Sequence, residues 1–240
     1  MGIGVEFNGT RLDKSFGIGN IKRPMPEFKV STTEIDGMDG MEFNGITVGM
    51  REFSFDLAVR NRTRQGVQDA ARKLMELFSV AEPVTVVFGD EVDPNGNRLR
   101  RYALPTGRFD DDTFLSCGKW SCSFVQVDPY LYGKDRSVVL KPNVATKFSV
   151  GGNAEVYPMA YATVSGNSYK ISKSSNDFLR YDGQFNGSSM NLILDFETQA
   201  VTRAPSGKGL TVDSKFFPIK GTETITATAT TTLYWTERWL

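Results

Sequence analysis

An alternation of apolar and polar side chains marks the first strongly patterned stretch of the chain. Within residues 52–60, mostly polar residues separate the apolar positions Phe53, Phe55, Leu57 and Val59. This period of two predicts a strand with one face on a core. From Val67 to Phe78, apolar residues instead recur every three or four positions. That spacing predicts an amphipathic helix, with Thr63 as its N-cap and Pro83 just beyond its end.

The remaining pattern predicts strands. Residues 84–88 and 99–104 flank a turn at residues 93–96, which is the arrangement of a hairpin. A strand over residues 120–127 ends at Asp128-Pro129-Tyr130, where proline interrupts regular pairing. Beyond it, short β-compatible runs alternate with glycine-containing turns, and helical periodicity does not return. We therefore predict a mainly β protein with one amphipathic helix.

This pattern also predicts two domains. An α+β N-terminal domain would cover residues 1–137, and an antiparallel β-sandwich would cover residues 138–240. The 240-residue chain is long enough for two domains of ordinary size, and 40% of its residues are apolar, which is enough to build a core.

Composition and charge exclude several function classes. The chain carries 28 basic and 28 acidic side chains and no histidine. Zero net charge argues against binding to nucleic acid or to an anionic membrane surface. No window reaches the roughly 18 apolar residues that a membrane span needs. The absence of histidine removes Ser-His-Asp and Cys-His catalysis and most zinc sites. Cys117 and Cys122, placed by the pattern in a loop that enters a strand, are too few for a disulfide framework.

Three acidic groupings are candidate chemical sites. The run Asp110-Asp111-Asp112 could hold a hard cation, but a solvated loop explains it better. Residues 93–97 superficially resemble a calcium loop and are better explained as a hairpin turn. Asp195 and Glu197 would share one strand face and could suggest a glycosidase pair, although such spacing is common on exposed strands. We therefore predict no enzyme activity, no catalytic residues, no cofactor and no metal.

Two further features indicate binding. Lys22, Arg23, Pro24 and Met25 belong to a basic, proline-bounded segment that could form an extended arm around a neighbour or a simple surface loop. Tyrosines in the second half could stack on sugars, and the candidates are Tyr157, Tyr161 and Tyr181. Core or interface packing is the alternative for these rings.

Several short motifs occur in a fixed order along nearly the whole chain. They are Arg23-Pro24, residues 36–40, Asp128-Pro129-Tyr130, residues 192–197, residues 216–222 and the ending Arg238-Trp239-Leu240. In this order they resemble the distal tail proteins of long-tailed, non-contractile bacteriophages, which form the hub at the tip of the tail tube.

The resemblance implies a structural role. It implies that the N-terminal domain assembles into a hexameric ring and that the C-terminal domain is a galectin-like sandwich at its periphery. The ring would join the tail tube to a tail-associated hub or spike protein, and receptor-binding proteins could attach to it. The protein would be made in the host cytoplasm and incorporated at the virion tail tip. The alternative is a carbohydrate-binding module that recognises host cell-wall glycans.

Overall fold

The computed structural model of the chain describes residues 3–107, 109, 111–174, 176–203 and 209–240. The chain divides into two compact units, the first ending at Leu131 and the second beginning at Tyr132. Strands dominate both units, and the strand pairs within each are antiparallel. The prediction of a mainly β protein is therefore confirmed. The boundary after residue 137 and the galectin-like character of the second domain stay predictions.

The first unit is built from strands, two α-helices and one 3-10 turn. Its strands are β1 (Val5–Phe7), β2 (Thr10–Arg11), β3 (Phe16–Lys22), β4 (Phe28–Glu34), β5 (Met41–Val48), β6 (Arg51–Val59), β7 (Val84–Val92), β8 (Arg98–Thr106) and β9 (Lys119–Gln126). The helices are α1 (Arg64–Phe78) and α2 (Asp111–Cys117), and the 3-10 turn is Leu12–Lys14. The main sheet has the strand order β3, β6, β9, β8, β7, β1, β2.

The strand and helix predicted from the pattern at residues 52–78 form as β6 and α1. Helix α1 begins after Thr63, whose side-chain oxygen accepts a hydrogen bond from the Gly66 N–H at 3.1 Å. This N-cap satisfies a donor that the helix itself leaves unpaired. The core of the first unit is rich in phenylalanine. The Phe124 ring stacks on the Phe53 ring with centroids 5.0 Å apart and on the Phe55 ring with centroids 5.1 Å apart.

The expectation of a single helix was wrong, because α2 forms where the pattern indicated a loop. Phe114 is fully buried and anchors this helix, and Gly118 ends it at a φ of +65°. Cys117 is therefore the last residue of α2, while Cys122 lies within β9 and is buried. Asp110 of the acidic run lies outside the described residues.

The second unit is a β structure with its own core. Its strands are β10 (Leu131–Leu140), β11 (Thr146–Ser149), β12 (Met159–Ser172), β13 (Phe178–Asp195), β14 (Ala200–Arg203), β15 (Thr222–Ala227) and β16 (Thr230–Trp239). The strand order is β11, β15, β12, β16, β10, and β13 pairs with both β12 and β14. Residues 228–229 bend the chain between β15 and β16.

Candidate functional site

Strands β4 and β5 form a hairpin that lies outside the main sheet of the first unit. Among the described strands, these two pair only with each other. Phe28 is opposite Val48, and Val30 is opposite Ile46. A register shift follows between Ser31 and Thr32. The hairpin is therefore a two-stranded ribbon with an irregularity near its middle.

The register shift keeps the apolar side chains of the hairpin on one face. Side chains alternate between faces along a strand, so Ile46 and Phe43 would point in opposite directions in a regular ladder. The extra residue at Asn44 reverses the alternation, because Ser31 is opposite Gly45 whereas Thr32 is opposite Phe43. One face, here called the apolar face, therefore carries Phe28, Val30, Met41, Phe43, Ile46 and Val48, together with the polar Thr32 and Glu34 at its far end. The opposite face carries Lys29, Ser31, Thr33, Glu42 and Thr47.

The apolar face is exposed to solvent. Val30 is 60% exposed, Phe43 is 61% exposed and Ile46 is 57% exposed. An isolated two-stranded ribbon is only marginally stable in water, and contiguous exposed apolar patches mark interaction sites. The sequence signal was present in the alternation of Phe28 and Val30 with polar neighbours, but the sequence interpretation did not use it. This hairpin is the strongest candidate for a protein-protein contact.

The predicted interaction arm leads from β3 into the hairpin, and Arg23 fixes its base. The Arg23 guanidinium bonds the Asp90 carboxylate at 2.9 and 2.5 Å and lies 3.2 Å from a Glu91 oxygen. It also lies 4.7 Å from the centroid of the Phe88 ring. The hydrogen bond from Arg23 lowers the pKa of Asp90 below its usual value. Lys22 closes β3 and is exposed.

Beyond Arg23, the arm is exposed until it turns inward at Pro26. Pro24 is exposed and Met25 is 78% exposed, whereas Pro26 is buried. The Gly49 N–H donates to the Glu27 carbonyl at 2.7 Å, which closes the base of the hairpin. The arm therefore holds the hairpin by its base and leaves Met25 available to a neighbour.

A buried ion pair supports this anchor. Arg101 is 1% exposed and bonds both oxygens of Glu91, the carboxylate that Arg23 also approaches. Its guanidinium lies 4.9 Å from the Phe53 centroid and 5.0 Å from that of Phe88. Burial lowers the pKa of Arg101, and the Glu91 charge opposes that change. The start of the arm is thus tied to a charged group inside the unit.

The three candidate glycan-stacking tyrosines lie in different surroundings. Tyr181 is 2% exposed and belongs to the core of the second unit, so its ring is not available to a sugar. Tyr157 is partly buried and packs against the same core. Tyr161 is 43% exposed and contacts Tyr234, which is 49% exposed. The structure therefore places Tyr161 beside a tyrosine that the sequence interpretation did not select.

Asp195 and Glu197 do not form a carboxylate pair on one strand face. Strand β13 ends at Asp195, whose carboxylate accepts the backbone N–H groups of Glu197 at 2.9 Å and Thr198 at 3.2 Å. The Glu197 carboxylate instead bonds the guanidinium of Arg238. Asp195 thus shapes a turn, and Glu197 is held in an ion pair. The expectation that both share a strand face was wrong.

Asp93 also has a structural role. Its carboxylate accepts the backbone N–H groups of Asn95 at 2.9 Å and Asn97 at 2.7 Å. The predicted turn between β7 and β8 is therefore confirmed. Over the described residues, acidic and cysteine side chains do not gather in groups of three or more that could hold a metal ion. Within the same residues, no helix combines the length and apolarity needed to cross a membrane.

Family comparisons match both halves of the chain. Residues 7–125 match the phage tail protein RIFT-related domain. Residues 151–239 match the C-terminal domain of the siphovirus-type tail component. No curated protein sequence matches the chain.

Solved structures share the fold over the full length. The chain is similar to the Dit protein of phage SPP1, described as a paradigm of the hub adsorption apparatus in phages that infect Gram-positive bacteria. That similarity has a TM-score of 0.76 at 18% identity and covers 100% of both chains. A chain of the phage p2 baseplate in its calcium-activated conformation aligns with a TM-score of 0.53 at 6% identity, covering 99% of this chain and 98% of that one. The strontium-activated p2 baseplate gives 0.52 at 6% identity, with 98% and 97% covered.

Proposed function

Because the chain belongs to the siphovirus-type tail component family of phage distal tail proteins, we propose that it assembles into a hexameric ring that joins the tail tube to the tail-tip hub. Members of this family are structural, non-enzymatic components of the baseplate at the virion tail tip. The proposal concerns the ring, its six subunits and its neighbours. Those neighbours are further copies of the chain, the tail tube protein and a tail-associated hub or spike protein.

The observation that carries the proposal is the exposed apolar face of the hairpin. Phe43 and Val30 are each more than half exposed, at 61% and 60%. Burying a side chain of this size stabilises an assembly by roughly 1.5–3 kcal/mol. A closed ring gives every subunit the same contact, so that no copy leaves its hairpin uncovered. The apolar face therefore fits an adjacent copy of the same chain.

We assign the ring contacts to residues 1–137, which include the hairpin and the arm. Residues 138–240 form a galectin-like module that offers attachment to receptor-binding proteins. The anchoring of Arg23 on Asp90 and Glu91 supports this division, because it fixes the direction in which the hairpin leaves the first unit. Met25 extends the apolar surface next to the hairpin.

Light scattering coupled to size exclusion tests the proposal. We expect the purified chain to elute with a mass close to six times 26.6 kDa and to form rings in negative-stain images. The double variant Val30→Ser/Ile46→Ser removes a directly opposed pair from the apolar face and should elute as a monomer. The matched control is Lys29→Ser/Thr47→Ser, an opposed pair on the other face, which should still form the ring.

Circular dichroism of each variant verifies folding, since all four positions are exposed and their substitution should leave the unit intact. A wild-type chain that stays monomeric at high concentration would contradict the ring. Equal assembly of both double variants would show that the hairpin is not the contact.

A further inference from the structure

A shallow groove crosses the outer surface of the second unit where β10, β16 and β12 run side by side. It has a volume of about 590 Å³ and is lined by Asp135, Arg136, Met159, Tyr161, Tyr234, Trp235 and Thr236. Small-molecule sites in proteins fall in the same range of roughly 300–1,000 Å³ and combine aromatic walls with a few polar groups. The hairpin and the arm contribute no residue to it.

Two tyrosines form the apolar wall of the groove. Met159 of β12 is opposite Tyr234 of β16, so Tyr161 lies diagonally across from Tyr234 on the same face. The two rings meet edge to face, with centroids 5.3 Å apart and planes at 88°. The Tyr161 hydroxyl also lies 2.9 Å from the Met159 sulfur. The rings are therefore fixed relative to each other while remaining 43% and 49% exposed.

Polar side chains of β10 and β16 form the opposite wall. The Thr236 hydroxyl donates to the Asp135 carboxylate at 2.6 Å. Arg136 and Glu237 each lie one residue beyond this pair, so their side chains are on the other face of the sheet, where the Arg136 Nε donates to the Glu237 carboxylate at 2.7 Å. The hydrogen bond between Asp135 and Thr236 holds both groups in place before a ligand arrives, which lowers the entropic cost of binding.

This combination of walls defines the ligand chemistry. A pyranose ring has an apolar C–H face and a rim of hydroxyl groups that both donate and accept hydrogen bonds. Tyrosine rings match the apolar face, while the Asp135 carboxylate and the Thr236 hydroxyl oxygen accept from sugar hydroxyls. The negative charge of Asp135 disfavours an anionic ligand, so the groove fits an uncharged one.

We infer that this groove, with Tyr161 and Tyr234 as its stacking platform, is a binding site for neutral saccharides. The inference does not depend on ring assembly, because the residues of the groove all belong to the second unit. The site also differs from the set of glycan-stacking tyrosines predicted from the sequence. It keeps Tyr161 and adds Tyr234, while the buried Tyr181 is not part of it.

The test uses the full chain and three neutral probes: cellotetraose, maltotetraose and chitotetraose. Isothermal titration should detect at least one of them with a Kd on the order of 1 mM. Tyr161→Ala and Tyr234→Ala should each weaken that binding by about tenfold, whereas Tyr161→Phe keeps the ring and most of the affinity. Val212→Ala alters a fully exposed residue of the same unit and should bind like the wild type.

Each alternative outcome has a defined meaning. Failure of all three probes to bind at about ten times the expected Kd overturns the inference, and so does wild-type affinity in both alanine variants. Alanine variants that lose assembly while the wild type binds no sugar would reassign the groove to a protein contact. Light scattering on the same samples separates these results from a failure of the hairpin contact.

Discussion

Substitution of Gly152 by alanine should strongly destabilise the second unit, because two separate costs coincide there. Gly152 has a φ of +75°, and a Cβ atom on it would lie 2.1 Å from the Arg238 carbonyl oxygen. The left-handed conformation costs an alanine roughly 1–2 kcal/mol. The methyl group would also displace a carbonyl that accepts the backbone N–H groups of Asn153 at 3.0 Å and Ala154 at 3.2 Å. Two such bonds contribute about 1 kcal/mol each. The expected loss is therefore about 3–4 kcal/mol.

Gly221 provides a matched control in the same unit. Its φ of +66° is close to that of Gly152, but a Cβ there would meet no atom of the described residues within 4 Å. Gly221→Ala should therefore show only the backbone cost of roughly 1–2 kcal/mol.

Urea unfolding measures the free energy of unfolding of both variants. It is followed by tryptophan fluorescence in a Trp120→Phe background, so that Trp235 and Trp239 of the second unit give the signal. The difference in free energy of unfolding between the two variants measures the cost of the contact with the Arg238 carbonyl in β16. Equal destabilisation of the two variants, within about 0.5 kcal/mol, would refute the reasoning.

Three further outcomes test the first unit. Thr63→Ala should lower the free energy of unfolding by about 1 kcal/mol because it removes the N-cap of α1; Thr63→Ser should restore most of it, and an equal loss in both would argue against the cap. Exposed Cys117 should react with a thiol reagent in the native protein. Buried Cys122 should react only after unfolding, because burial raises its thiol pKa; two reactive thiols in the folded chain would contradict this. Asp90 has a lowered pKa beside Arg23, so it stabilises the fold above about pH 4 and loses this effect as the pH falls through its folded pKa. The stability gap between wild type and Asp90→Asn should shrink over that range, and a constant gap would count against the pairing.

Long local patterns made the first unit partly predictable. The alternation in residues 52–60 and the helical spacing in residues 67–78 each repeat often enough to identify an element, and both elements form. Helix α2 covers only Asp111–Cys117, and so short a segment presents too few turns for a helical period to emerge. Its burial of Phe114 depends on the surrounding core rather than on the local sequence.

The candidate sites were less predictable, because residue type does not determine burial. Tyr161 and Tyr181 are both tyrosines on strands, yet one is 43% and the other 2% exposed. Likewise, Arg23 suggested a free basic arm, but its partners Asp90 and Glu91 lie far away in the sequence. Only the pairing of β strands brings such distant groups together.

By itself, the sequence determined the β-rich class, the amphipathic helix, the absence of histidine chemistry and the ordered motifs of a phage tail protein. The tertiary structure decided which face of each strand is buried. In β12, Tyr161 is exposed while Tyr169 is buried, because the register shifts near Gly166 reverse the alternation. The register shift at Asn44 also reverses the alternation in the hairpin. There it places Phe43 and Ile46 on the same exposed face instead of on opposite faces. A period of two shows that a strand has two faces, but the pairing with its neighbours determines which one meets the core.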